Sequence, residues 1–155
     1  ALLIAGSLSM GAIAGGADPK IVETLFALGE AAGIGFQLQD DFMDVYAEQA
    51  KFGKQVGGDI IANKKTFLLI KALSSANADQ KQRLQHWLSV VTFNKLDKVE
   101  AVTKLYDEIG VKEITEIKMN EYFQSGFNSL EDLEVENHIK QPLIDFTNYL
   151  ISREK

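Results

Sequence analysis

The chain contains no cysteine, only two prolines and only two histidines among its 155 residues. The lack of cysteine excludes disulfides and thiolate zinc sites, which fits a cytoplasmic protein. The scarcity of proline permits long helices, because proline removes a backbone donor and breaks a helix interior. His86 and His138 belong to no Ser-His-Asp arrangement, so a histidine-based nucleophile is not predicted.

The sequence also lacks an excess of basic residues and a long apolar run. Its formal net charge is −6, and no lysine or arginine stripe is available for nucleic-acid phosphates, so nucleic-acid binding is not predicted. The uncharged stretch 1–17 is shorter than the roughly 20 residues that cross a bilayer. We predict no membrane span and expect a buried helix here, in which Gly11 and Gly15 allow close helix approach or leave room beside a ligand. Gly33 and Gly35 are likewise expected either to allow close helix packing or to leave room beside a ligand.

Apolar residues recur at helical spacing along most of the chain, and no alternating strand pattern is present. Asp18 and Pro19 form a strong helix start, and the helix is predicted to reach about Tyr46. A loop is predicted over 47–58. The later predicted helices are Thr66 to Ser75, one that starts at Asn77 or Asp79, Asp97 to Ile109, Val111 to about Leu130, and a last one that starts near Pro142. The charged residues between Asp97 and Glu121 are expected on solvated helix faces.

Three carboxylates, Asp40, Asp41 and Asp44, lie in the predicted helix that reaches about Tyr46, within the segment FQLQDDFMD. Asp40 and Asp44 are one helical turn apart, roughly 5–6 Å between Cβ atoms, so both can reach a common Mg²⁺ or neighbouring ones. Without a cation, like charges this close repel each other, and apolar neighbours such as Phe42 increase the cost. A solvated helix face is the competing interpretation of this motif taken alone.

Glycines and lysines follow directly, in Gly53–Ile60 and in Asn63–Thr66. Glycine lets backbone N–H groups approach an anion closely, and lysine supplies a point charge suited to phosphate. Mg²⁺ usually bridges protein carboxylates to substrate phosphates. The three parts together predict a site for a diphosphate and Mg²⁺, and they favour that interpretation over the solvated face.

The order FQxxDDxxD and then GKxxGxDIxxxKxT resembles the second aspartate-rich motif of the trans-isoprenyl diphosphate synthases (polyprenyl synthetases), with the loop and helix behind it. The match runs from Phe36 to Thr66 without a departure. It implies an all-α fold, the antiparallel helical bundle of the isoprenoid synthase type, here as a partial bundle. The family's first aspartate-rich motif and its isopentenyl diphosphate site are absent. Residues 1–155 are therefore expected to be the C-terminal half of a single isoprenoid synthase domain, from a truncated, cleaved or partly expressed chain.

The resemblance implies a prenyl transferase of isoprenoid biosynthesis. With Mg²⁺, such an enzyme condenses an allylic diphosphate with isopentenyl diphosphate through an allylic carbocation. Asp40 would be the main metal ligand, and Asp41 and Asp44 would bind metal directly or through water. Asp40, Gln37 and Lys64 are the catalytic residues that the resemblance implies.

The substrate-binding residues come from the same motif positions. Lys54 and Lys64 would contact the diphosphate or order the loop. Phe36 and Gln37 would flank the reacting carbons, and Thr66 would support Lys64.

The family also implies a homodimer for the full-length protein. The isolated chain is expected to be inactive, because the family's other metal ligands and isopentenyl diphosphate site are missing. One alternative is a noncatalytic regulatory subunit of a heteromeric prenyl synthase, which the three clustered carboxylates disfavour. Another is a terpene cyclase, which the GKxxGxDI loop disfavours.

Overall fold

The computed structural model describes residues 1–47, 57–131, 133 and 135–152. Within these ranges every regular element is an α-helix, which confirms the predicted all-α fold. The helices are α1 Leu2–Ala14, α2 Pro19–Tyr46, α3 Gly58–Ile61, α4 Phe67–Ser75, α5 Ala78–Ser89, α6 Lys95–Ile109, α7 Val111–Glu131 and α8 Asn137–Ser152. The chain divides into two compact units: Leu38–Glu116, called the site unit below, and Ala1–Gln37 with Ile117–Lys155, called the terminal unit.

Capping side chains fix the helix boundaries of the site unit. Asn77 forms a reciprocal capping box at the start of α5, and Gly110 ends α6 in the left-handed conformation with φ 81°. Asn94 Oδ1 accepts the N–H of Leu96 at 2.9 Å. This cap starts α6 at Lys95, two residues before the predicted Asp97.

Two further elements differ from the sequence-based expectation. Helix α3 was not predicted, since four residues hold too few apolar positions to show a helical period. Helix α8 begins at Asn137, so Pro142 lies inside it and not near its start. Lys140, upstream of this proline, is buried, and its ammonium donates to the main-chain oxygen of Glu131 at 3.2 Å. That bond ties the additional turn of α8 to the end of α7.

Two glycines of α2 serve close packing within the terminal unit. A Cβ atom added at Gly33 would overlap the main chain of Ala1, and one at Gly35 would lie 2.9 Å from Cε1 of Phe123. Both distances are too short for a side chain to be accommodated without displacement. The packing interpretation therefore accounts for these glycines.

Helix α1 is buried on one side only. Ala5, Ser9 and Ala12 are buried, whereas Leu3 is 84% and Met10 is 68% exposed. Within the described residues, the helix expected to be buried is therefore buried on one face only. No described atom lies within 4 Å of a Cβ added at Gly11, so this glycine makes no close helix contact there.

Helix α2 is long and apolar enough to cross a bilayer by length and composition, and no other described helix meets both conditions. The core helix of a folded protein meets the same conditions, because both environments select apolar residues. The finding therefore identifies no span by itself.

The core of the site unit joins the last turn of α2 to helices α3 to α6 and to the first residue of α7. Its buried members are Val45, Ile60, Leu68, Ala72, Leu84, Val102, Leu105, Tyr106 and Val111. This packing fixes the two segments that carry the predicted site within one unit. Lys98 of α6 is 1% exposed, so the expectation of solvated charges between Asp97 and Glu121 is wrong at that residue.

Candidate metal and diphosphate site

The three predicted metal ligands lie near the end of α2 in the site unit. Because the helix is continuous, Asp40 and Asp44 are one turn apart and share a face. Asp41 is buried, with 7% of its surface exposed, and Asp40 and Asp44 are half-buried. The helical setting of the motif is as predicted, and metal binding by these residues stays a prediction.

Asp44 binds the glycine turn that precedes α3. Its Oδ2 accepts the N–H of Asp59 at 2.7 Å, and its main-chain oxygen accepts the N–H of Gly57. Burial raises the pKa of the Asp44 carboxyl, and the hydrogen bond from Asp59 opposes that rise. A Cβ at Gly58 would lie 3.2 Å from Asp44 Oδ1, so the absence of a side chain lets this turn close on the carboxylate.

Gly57 is required in this turn for two separate reasons. Its φ of 87° is in the left-handed region, where glycine alone is free of Cβ strain. A Cβ built there would also lie 2.5 Å from Cγ2 of Val99 on α6. The conformation and the available space both exclude a larger residue.

Lys64 lies between two carboxylates of the site. Its Nζ is 2.8 Å from Asp59 Oδ2 and 3.0 Å from Asp41 Oδ1. The hydrogen bonds to Asp59 and Asp41 raise the pKa of Lys64 far above its usual range, so the ammonium remains charged. Its side chain is 49% exposed, which leaves part of the cation open to solvent. Lys64 thus links α2 to the segment after α3.

Asp59 was not predicted as a site residue, although it lies in the motif. It donates its N–H to Asp44 and accepts from the ammonium of Lys64. A signal was present, since a carboxylate five residues before a lysine can pair with it across a tight turn. The unpredicted helix α3 creates that turn, because the N–H of Lys64 donates to the main-chain oxygen of Asp59 at 2.9 Å.

Thr66 is the N-cap of α4. Its hydroxyl oxygen accepts the N–H of Leu69 at 3.2 Å, and the Thr66 side chain is buried. Its own N–H donates to the main-chain oxygen of Lys64 at 2.8 Å. This threonine therefore orders the chain directly after the lysine.

The other predicted residues fall outside this cluster. Phe36 is half-buried and Gln37 is exposed, and both belong to the terminal unit. They precede Asp40 by four and three positions in the sequence. Lys54 lies outside the described residues.

The structure allows a test of whether these residues suit Mg²⁺. Among the residues described, no three His, Cys, Asp or Glu side chains form a ready-made metal cluster. Mg²⁺ does not require one, because it commonly takes one or two protein carboxylates and completes its shell with water and substrate phosphates. Asp40 and Asp44, one turn apart on a helix, offer that donor set.

Comparison with known proteins gives one family. The polyprenyl synthetase family model matches residues 1–109. The heptaprenyl diphosphate synthase component 2 of Bacillus subtilis is 35% identical over 133 residues, which are 86% of this chain and 37% of that protein.

Two solved structures have the same fold. A geranylgeranyl pyrophosphate synthase superposes with a TM-score of 0.87 at 33% identity, over 99% of this chain and 48% of its own. A Corynebacterium glutamicum geranylgeranyl pyrophosphate synthase, crystallised with isoprenyl diphosphate and magnesium, gives 0.75 at 26% identity, over 87% of this chain and 38% of its own. The chain spans about half the length, or less, of the curated relatives it matches. The chain belongs to the polyprenyl synthetase family.

Proposed function

We propose that the whole protein is a trans-prenyltransferase that condenses an allylic diphosphate with isopentenyl diphosphate. In this proposal the present chain supplies the second aspartate-rich site and is inactive alone. Family membership supports the class of reaction, and the names of the similar proteins are those of prenyl diphosphate synthases. We further propose that the whole protein acts in isoprenoid biosynthesis and is cytoplasmic.

The observation that carries the proposal is the cluster around Lys64. A charged ammonium is held by Asp41 and Asp59, and the half-buried Asp40 directly precedes Asp41 on α2. A site for a metal–diphosphate pair needs carboxylates for the cation and a fixed ammonium for the anion. Here both kinds of charge are held by hydrogen bonds within the protein, so little reorganisation is needed on binding.

Asp40 is the proposed main ligand for Mg²⁺, with Asp44 and Asp41 bound directly or through water. The structure of the Corynebacterium glutamicum relative with magnesium supports this choice of metal. When bound, Mg²⁺ would supply Lewis-acid neutralisation of the diphosphate leaving group. The hydrogen bond from Asp59 holds one oxygen of Asp44 in the glycine turn, which suits Asp44 to a supporting role in the proposed site.

The chain's own residues would do the remaining work. Lys64 would turn part of its exposed ammonium to the diphosphate, while Asp41 and Asp59 keep it in place. Lys54 would contact the same diphosphate or order the loop. Phe36 and Gln37 would flank the reacting carbons and shield the developing cation from water.

A heteromeric enzyme is the second candidate. The name "component 2" of the Bacillus subtilis relative indicates that a partner chain takes part in that enzyme. For this protein we keep the homodimer as the first proposal and a noncatalytic subunit of a heteromeric synthase as the alternative. A terpene cyclase is the third, since it would use the same carboxylates but no isopentenyl diphosphate.

The test is Asp40→Ala in the full-length protein, with Asp97→Ala as the matched control on an exposed carboxylate. Incorporation of labelled isopentenyl diphosphate should fall at least about 100-fold for Asp40→Ala, because charge stabilisation of the leaving group is lost. The control should retain activity, and circular dichroism should show both variants folded. Near-normal turnover by folded Asp40→Ala would contradict the site assignment.

A further inference from the structure

The turn between α3 and Lys64 has an uncommon backbone. Asn63 adopts a φ of 52° and is the non-glycine residue with positive φ in the described ranges. Asparagine tolerates this region better than most residues, although it still incurs strain. The reversal directs the next residue, Lys64, back toward Asp59, whose main-chain oxygen accepts the Lys64 N–H. The direction of Lys64 therefore depends on the conformation of Asn63.

The side chain of Asn63 is held at both ends. Its Oδ1 accepts from the ammonium of Lys98 on α6 at 2.6 Å, and its Nδ2 donates to the main-chain oxygen of Leu88 at the end of α5 at 3.1 Å. The Lys98 ammonium also lies 3.5 Å from the main-chain oxygen of Ile61. Helices α5 and α6 are thus both connected to this turn through the side-chain amide of Asn63.

Lys98 is an unusual residue to find in this position. It is 1% exposed, and its Nζ lies 4.3 Å from the centre of the Phe93 ring. Burial lowers the pKa of Lys98. An apolar side chain of the same length would often fit such a site at least as stably as a buried ammonium. Stability alone therefore does not explain a lysine here, and residues that break a folding rule are expected at functional sites.

We propose that Lys98 is a positioning residue for diphosphate binding. It holds Asn63 in its left-handed conformation, and Asn63 in turn aims Lys64 at the diphosphate. Lys98 itself touches no substrate in this account. The inference rests on the proposed function, because that function assigns the diphosphate to Lys64.

The test uses Lys98→Met in the full-length protein, with inorganic diphosphate and MgCl₂ as the probe in a calorimetric titration. The Kd for diphosphate should rise about tenfold, which is the scale of one hydrogen bond to a charged group. The melting temperature should change little, because loss of the bond to Asn63 and removal of a buried charge act in opposite directions. Lys104→Met, exposed on the same helix, should leave the Kd unchanged.

Asn63→Gly provides an independent variant that leaves Lys98 itself in place. Glycine accepts the positive φ without strain but removes the link to Lys98. Its diphosphate Kd should rise at least to a similar extent, and adding Lys98→Met should weaken binding little further, because Asn63→Gly already removes the bond to Lys98 together with the bond to Leu88.

Three results would overturn the proposal. One is an unchanged diphosphate Kd in folded Lys98→Met, which would leave the residue a packing role only. The second is full additivity of the two variants, and the third is an unchanged Kd in Asn63→Gly. If wild type binds no diphosphate and performs no condensation, the proposed function itself fails, and that outcome is distinct from binding that is intact but insensitive to Lys98.

Discussion

Replacing Gly57 with alanine should destabilise the site unit more than the same change at a second left-handed glycine. Gly57 and Gly110 have φ values of 87° and 81°. Only Gly57 has a neighbour in the path of a new Cβ, since Cγ2 of Val99 would be 2.5 Å away, whereas nothing lies within 4 Å at Gly110. The two positions therefore separate backbone strain from steric overlap.

The magnitudes follow from these two terms. A left-handed alanine costs about 1–2 kcal/mol at either position. Forcing a methyl group into packed neighbours adds about 1–3 kcal/mol at Gly57 alone. The expected loss in the free energy of unfolding is thus about 2–5 kcal/mol for Gly57→Ala and about 1–2 kcal/mol for Gly110→Ala.

The assay is equilibrium urea unfolding followed by the fluorescence of Trp87. This residue is the single tryptophan of the chain and packs against the core of the site unit. Val99→Ala should recover about 1–3 kcal/mol of the Gly57→Ala loss in a double-mutant cycle, because it removes the overlapping atoms. Equal losses for the two glycine variants, or an additive cycle, would refute the packing argument at Gly57.

Two further perturbations test other parts of the site unit. Thr66→Val should lower the free energy of unfolding by about 1 kcal/mol in the same urea assay, because the α4 cap is lost. Thr66→Ser keeps the hydroxyl and should retain most of that stability. Equal stability of the two variants would show that the hydroxyl does not stabilise the start of α4. Burial and the nearby Asp59 raise the pKa of Tyr106 above its usual 10.0. The folded state therefore keeps a proton that the unfolded state loses, and stability should fall as pH rises above about 10. Tyr106→Phe should reduce this loss of stability at high pH, whereas the same change at the exposed Tyr149 should not. An identical pH dependence of stability for wild type and Tyr106→Phe would contradict the raised pKa of Tyr106.

Local signals made most helix boundaries predictable. The start of α2 at Pro19 and the end of α6 before Gly110 each follow from one or two residues with strong backbone preferences. The cap by Thr66 and the capping box at Asn77 are equally local. Where an additional cap was overlooked, as at Asn94, the predicted start of α6 was wrong by two residues.

The connections within the site were not predictable in the same way. The ion pair between Lys64 and Asp41 joins residues 23 positions apart, and no periodicity encodes such a contact. It depends on α3, which is too short to show a pattern. Lys98 was assigned to a solvated face because it lies in a charge-rich segment, whereas its burial depends on the acceptor that Asn63 offers. Sequence pattern indicated which residues carry charge but not which charges face each other.

The central claim is that the whole protein joins isopentenyl diphosphate to an allylic diphosphate at the site containing Asp40 and Lys64. The most direct measurement is incorporation of radiolabelled isopentenyl diphosphate by the full-length protein with Mg²⁺ and an allylic diphosphate. The account predicts a prenyl diphosphate lengthened by isopentenyl units, formed only when both substrates and Mg²⁺ are present. Absence of incorporation, or release of a cyclic hydrocarbon from the allylic diphosphate alone, would contradict it.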